Sequence, residues 1–207
     1  MRRRALLTTA AAGATGLLAG CSFGDGGEGG GGPAVADTDG EAGTPPTDDG
    51  RMRLTSSAFG DGARIPSRPG CDGIGLSPPL SVGGVPDGTE TLALIADDPD
   101  APTGEPFVHW LVWNVPVTLR TWPGGVTPNE RATDLDGAPQ GTNSGGGLGY
   151  FPACPPKDDG PHRYRFTMVA VDDRLPLDPG AERAALESAL DGRTLARARL
   201  VGTYERD

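Results

Sequence analysis

A chain of 207 residues carrying 28 acidic and 18 basic side chains, for a formal net charge of −10, has room for one domain and little more. The acids are distributed along the whole chain and no basic stripe interrupts them, which excludes nucleic acid as a partner. Of the 18 bases 17 are Arg and only Lys157 is Lys, while 20 of the acids are Asp; this halophile-like acidic surface fits a high-salt organism, and a GC-rich genome favours the same residues.

In chain order, residues 1–20 read as a signal peptide. Arg2, Arg3 and Arg4 supply the charged start and Ala5 to Leu18 a short apolar stretch without acids. The stretch is too short and too rich in Ala and Gly for a stable membrane span. Arg3-Arg4 followed by Leu6-Leu7 fits a twin-arginine export signal, and Leu18-Ala19-Gly20-Cys21 fits a lipobox whose Cys21 takes the lipid and becomes the new N-terminus. Removing 20 residues takes three Arg and no acid, leaving 15 − 28 = −13. Residues 21–50, rich in Gly, Asp, Pro and Thr, bury too little to offset ordering and read as a flexible tether. The expected location is therefore the outer face of the cell membrane, anchored through Cys21, with the folded domain at 51–207.

Within that domain Met52 to Phe59 reads as a strand closed by Gly60-Asp61-Gly62, and Val85 to Gly88 as a turn. Leu92 to Ala96 and Val108 to Val115 are apolar runs of strand length. Between them Asp97, Asp98 and Asp100 sit among Pro99, Pro102, Gly104 and Pro106, so the chain loops out and returns with His109 at the start of the second strand. From Pro116 to Leu148 the chain reads as loop, with Gly141 to Tyr150 the most flexible part. That run is no phosphate loop, because it lacks the Gly-Lys-Ser/Thr ending. Phe151 to Pro161 is a Pro-rich loop that feeds a strand at His162 to Val171. Pro179 to Leu190 carries a helical pattern stopped by Gly192, and Thr194 to Tyr204 fits a strand or a second helix, with a strand ending at Val201 to Tyr204 the favoured reading. Six to eight short strands against one helix imply a mostly β domain, a β-sandwich of two antiparallel sheets with a C-terminal helix.

Both histidines of the chain begin strands directly after irregular loops, where side chains line pocket mouths. If the two strand ends are neighbours, Asp98, Asp100, His109, His162 and Tyr164 form a polar cluster; each histidine could equally be a core residue satisfied by a carbonyl. Such a cluster suits three chemistries. One is a binding site for a small anion; another is a hydrolase using Cys154 or Ser144 beside a histidine; the third is a metal site of two His and two Asp, which no helical His spacing supports. No cofactor is implied. With Cys21 lipidated, Cys71 and Cys154 remain, and an even pair outside the cytoplasm suggests a disulfide, with two free thiols as the alternative.

Several motifs, in order, carry a resemblance: Ser77-Pro78-Pro79-Leu80, Asp98-Pro99-Asp100-Ala101-Pro102, His109-Trp110, Asn114-Val115-Pro116, Gly149-Tyr150, Cys154-Pro155-Pro156 and His162-Arg163-Tyr164. From about Arg51 to Tyr204 the chain resembles the phosphatidylethanolamine-binding proteins, in particular their prokaryotic Raf-kinase-inhibitor-like branch. The resemblance implies a β-sandwich and a non-catalytic pocket in which Asp98, Asp100, His109, Cys154, His162 and Tyr164 take a phosphate-like group, as a phospholipid headgroup or a phosphorylated ligand. It also implies regulation of a protein partner, for an exported protein an extracellular protease, and leaves a homodimer open. Phe151-Pro152-Ala153 departs from the Gly-rich step usual after Gly-Tyr, which reshapes the pocket mouth.

Overall fold

The computed structural model describes residues 51–206; the export signal, Cys21 and the tether lie outside the described residues. The strands are β1 (Arg53–Thr55), β2 (Leu80–Gly83), β3 (Thr91–Asp98), β4 (Phe107–Pro116), β5 (Thr121–Trp122), β6 (Arg131–Ala132), β7 (Ala138–Pro139), β8 (His162–Val171) and β9 (Thr194–Tyr204). One helix, α1 (Arg183–Leu190), precedes β9. The long strands form a four-stranded antiparallel sheet in the order β4-β3-β8-β9. A three-stranded antiparallel sheet, β1-β2-β5, and the β6-β7 pair complete the β structure.

β3 explains the arrangement. All eight of its residues are buried, because both faces of the large sheet are covered. Side chains alternate along a strand, so Leu92, Leu94 and Ala96 enter the core shared with Leu54, Leu80, Val82 and Trp122 of the small sheet. Ala93 and Ile95 face the opposite way, into a second core closed by Leu186 and Leu190 of α1. Each such aliphatic side chain contributes about 1.5–3 kcal/mol by leaving water. A strand covered on both sides loses the usual polar alternation, which is why its sequence is an unbroken apolar run.

The same alternation separates the two carboxylates that end β3. Asp97 faces the helix side, where its Oδ1 accepts from Arg165 Nε at 2.8 Å and its Oδ2 from Arg165 Nη2 at 2.7 Å and Arg183 Nη1 at 2.8 Å. It thereby ties β3, β8 and α1 together. Asp98 faces the other side and belongs to the site.

Two irregularities shape β4. Leu92 pairs with Val115 but Leu94 with Val112, an extra residue that accommodates Asn114 at φ 57. The Asn114 amide closes a two-way exchange with Leu175, donating to its carbonyl at 2.9 Å and accepting from its N–H at 2.7 Å. The second lies at the far end, where Ala96 pairs with Trp110 but Asp97 with Val108, so His109 is the extra residue of a bulge. Bulges turn side chains to new directions, and this one matters for the pocket.

Three segments differ from the sequence expectations. β1 is shorter than Met52 to Phe59, because the Ser56 hydroxyl accepts from Ala58 N–H at 3.1 Å and turns the chain. The helix begins at Arg183 instead of Pro179, since Gly180 has a positive φ of 85 and its N–H donates to the Gln140 carbonyl. Residues 117–148, read as loop, contain β5, β6, β7 and a short 3-10 turn at Thr133–Leu135. Fully buried Gln140 organises them, its carbonyl oxygen accepting from Trp110 Nε1 at 2.7 Å and its amide donating to the Thr127 and Asn129 carbonyls. Instead of being loose, the run from Gly141 to Tyr150 wraps around buried Asn143, which accepts from the N–H groups of Gly145 and Gly147 and donates to the Gly149 carbonyl.

Candidate functional site

The site forms where β3, β4 and β8 end together. Asp98, the last residue of β3, accepts the Asp100 N–H on Oδ1 at 2.8 Å, a turn that takes the chain out of the sheet. Its other oxygen, Oδ2, lies 2.8 Å from Nδ1 of His162, the first residue of β8. The second ring nitrogen of His162 lies 3.2 Å from the Asp159 carboxylate. A carboxylate only accepts, so both contacts are hydrogen bonds when the ring is an imidazolium donating from each nitrogen. Burial disfavours that charge, but the hydrogen bonds the ring donates to Asp98 and Asp159 outweigh it and the His162 pKa is raised.

His109 is held in the opposite state. Its Nδ1 donates to the Phe151 carbonyl at 2.8 Å, which leaves Nε2 as the nitrogen with a lone pair. Burial lowers its pKa, more strongly than that hydrogen bond and the Asp98 charge raise it. The neutral ring sits among aromatic neighbours: Phe107 with centroids at 4.9 Å, Tyr164 edge-on at 5.0 Å and Phe151 at 5.9 Å.

Tyr164 follows His162 by two residues and so shares its face of β8. Only 3% of the residue is exposed, and its hydroxyl is buried without a hydrogen-bond partner. Burial, reinforced by the neighbouring Asp98 carboxylate, pushes the phenol far above its ordinary value of 10, so it remains a neutral O–H. A buried hydroxyl left unpaired costs about 1–3 kcal/mol, and the acceptor beside this one is the Asp98 carboxylate.

These groups line one cavity of about 300 Å³. Its lining includes Asp98, His109, Cys154, His162 and Tyr164, with Phe107, Phe151, Pro155 and Pro156 among the apolar walls. Asp100 is not part of that lining. Its carboxylate turns to Arg163, accepting from the backbone N–H at 2.9 Å and from the guanidinium at 2.9 and 2.6 Å, which holds its pKa down at about 2. A bidentate guanidinium is a stronger partner than a solvated pocket edge. Cys154 is bonded to Cys71, 83 residues earlier, with Cα atoms 5.3 Å apart, so no thiolate is available there. Ser144 lies outside the cavity, its hydroxyl accepting from Val108 N–H at 2.8 Å. Neither proposed nucleophile is thus set up for attack, and among the described residues no group of three His, Cys, Asp or Glu is placed to hold a metal ion.

Two members of the site escaped the sequence reading. Asp159 stands three residues before His162 inside a Pro-rich loop, a spacing that carries a signal only once the histidine is known to face it. Phe107 lies two residues before His109 and reaches the same cavity because the bulge lies between His109 and the regular register.

Among the described residues the protein is mostly β, with three antiparallel sheets, one α-helix and a ring-lined pocket at converging strand ends. Residues 55–205 match the family described as phosphatidylethanolamine-binding protein, and the chain belongs to that family. A UPF0098 protein of Methanothermobacter thermautotrophicus is 44% identical over 159 residues, 75% of this chain and 99% of the relative. LppC of Mycobacterium tuberculosis, which carries a lipoprotein name, is 39% identical over 158 residues, 74% of this chain and 72% of the relative. Among solved structures, Escherichia coli YbcL, described as a member of the mammalian PEBP family, superposes with a TM-score of 0.71 at 34% identity, covering 76% of this chain and 99% of its own. A Chlamydia trachomatis homologue gives a TM-score of 0.69 at 39% identity with the same coverage.

Proposed function

We propose that this chain is a non-catalytic binding protein that takes a small phosphate-like group into the Asp98/His109/His162/Tyr164 pocket, and that it does so at the outer face of the cell membrane, anchored through lipidated Cys21. The observation that carries the reading is the cavity that brings Asp98, His109, His162 and Tyr164 together, with the Tyr164 hydroxyl, a buried donor without a hydrogen-bond partner, on one of its lining residues. A phosphoryl oxygen supplies the acceptor it lacks, and the phenyl rings of Phe107 and Phe151 accommodate the organic part of the ligand. The family points the same way, since its members are generally binding or regulatory proteins. The anchor rests on Leu18 to Cys21 and on the lipoprotein name of one relative.

Charge sets the pH dependence. The cluster holds Asp98 and Asp159 around one imidazolium and His109 is neutral, so the pocket takes a phosphate best in its singly charged, protonated form, whose share grows as pH falls. Titration calorimetry with phosphate and phosphoethanolamine from pH 5 to pH 8 is expected to show binding that strengthens as pH falls and vanishes in a His109→Ala, His162→Ala double variant. Absence of heat with both ligands at every pH contradicts the reading.

A further inference from the structure

The hydrogen-bond directions around the cavity are more restrictive than its size. His162 directs both ring nitrogens at carboxylates. Asp98 accepts on both oxygens and has no proton to give. The Thr103 hydroxyl donates to the Glu105 carbonyl at 2.7 Å. His109 is locked by the Phe151 carbonyl into the tautomer that presents a lone pair at Nε2. Tyr164 is left as the side-chain donor in the lining.

A ligand that offers only lone pairs, such as sulfate or a phosphodiester, can accept from Tyr164. Its remaining oxygens then face the His109 lone pair and the Asp98 carboxylate. A ligand that carries one acidic O–H satisfies both sides, accepting from Tyr164 and donating to Nε2. Sites built on hydrogen-bond direction discriminate strongly, because the wrong ligand leaves a buried polar atom unpaired.

We propose that the pocket selects phosphoryl groups that retain a P–OH, that is inorganic phosphate or a phosphomonoester, over phosphodiesters, with the fixed tautomer of His109 as the discriminating feature. This rests on the reading of the pocket as a phosphate-binding site and narrows it. Within it, a free phosphorylated headgroup binds and the diester of an intact phospholipid does not. Proton transfer along the new O–H···N hydrogen bond balances without any co-reactant, since the proton comes from the ligand and stays between the two atoms.

The test is competitive calorimetry on the intact protein at pH 6, where a monoester is about half protonated. Two matched pairs serve as probes: phosphate with sulfate, and methyl phosphate with dimethyl phosphate. Phosphate and methyl phosphate are expected to bind at least about tenfold more tightly than their partners, a factor that one mispaired buried hydrogen bond readily supplies. In His109→Gln the amide can place an N–H donor where the lone pair stood, and the ratio within each pair is expected to fall toward one. Equal or reversed affinities in the wild-type protein overturn the selection while leaving phosphate binding in place. Failure of all four probes to bind overturns the phosphate-binding reading itself and the selection with it. Should the variant not fold, the wild-type ratios alone decide.

Discussion

Replacing both Cys71 and Cys154 by serine is expected to lower the unfolding free energy by about 4.5 kcal/mol, the entropy released to the unfolded chain when a loop of this length is no longer closed. For a domain of this size that is a fall of roughly 10–15 °C in Tm. The loop cross-linked is long, 83 residues apart in sequence, and it encloses β2 to β7 together with the whole acidic turn. The bond also fixes the pocket. Cys71 N–H donates to the Ala153 carbonyl, and Cys154 continues directly into the Pro155-Pro156 wall, so the bridge and one hydrogen bond hold that wall against residues 67–75. Thermal unfolding with and without reductant, beside the double serine variant, measures the effect. A Tm unchanged in the variant and by reductant would show that the native contacts of the Pro-rich loop suffice alone.

The second large effect is expected at Asp97→Ala, a loss of about 3 kcal/mol. The carboxylate is buried to 4% exposure and accepts from two guanidinium groups, so its removal strands Arg165 and leaves Arg183 with only the exposed Glu187 carboxylate, 2.8 Å from its Nε. Each Arg side chain is 29% exposed, which allows partial hydration and keeps the loss at the lower end for a broken buried pair. Arg183→Gln removes only one of the partners and is expected to cost less than half as much. Urea unfolding of the two variants gives the comparison; equal losses would mean that the helix contact, and not the charge at the end of β3, dominates.

These two features were unequally visible in the sequence. The apolar runs of β3 and β4, the alternating start of β8 and the Gly192 stop after α1 follow from residue period and punctuation, and they place the large sheet and its helix. Both histidines announced themselves by position after loops. What stayed hidden depends on which way a side chain turns. Asp97, Asp98 and Asp100 are equivalent in the sequence, yet strand alternation sends one to α1 and one to His162, and a guanidinium on β8 claims the third. The bulge at His109 has no sequence mark, because an extra residue in an apolar strand leaves the composition unchanged. The two-residue strands β5, β6 and β7 lie below the length at which period can be read, and their stability comes from buried Trp122 and Gln140 instead. The cysteine pair was legible as a pair but not as a bond, since spacing says nothing of whether Cα atoms come within reach.

Tyr164→Phe tests the central claim most directly, because its two expected effects have opposite signs. Deleting a buried hydroxyl that has no partner is expected to raise the stability of the unliganded protein by about 1 kcal/mol, whereas deleting the donor that a phosphoryl oxygen accepts from is expected to weaken phosphate binding about tenfold or more. Unfolding and calorimetry on the same preparation give both numbers. A more stable protein that has lost phosphate affinity is the predicted result; a destabilised protein that binds phosphate as well as the parent would contradict the assignment of this pocket.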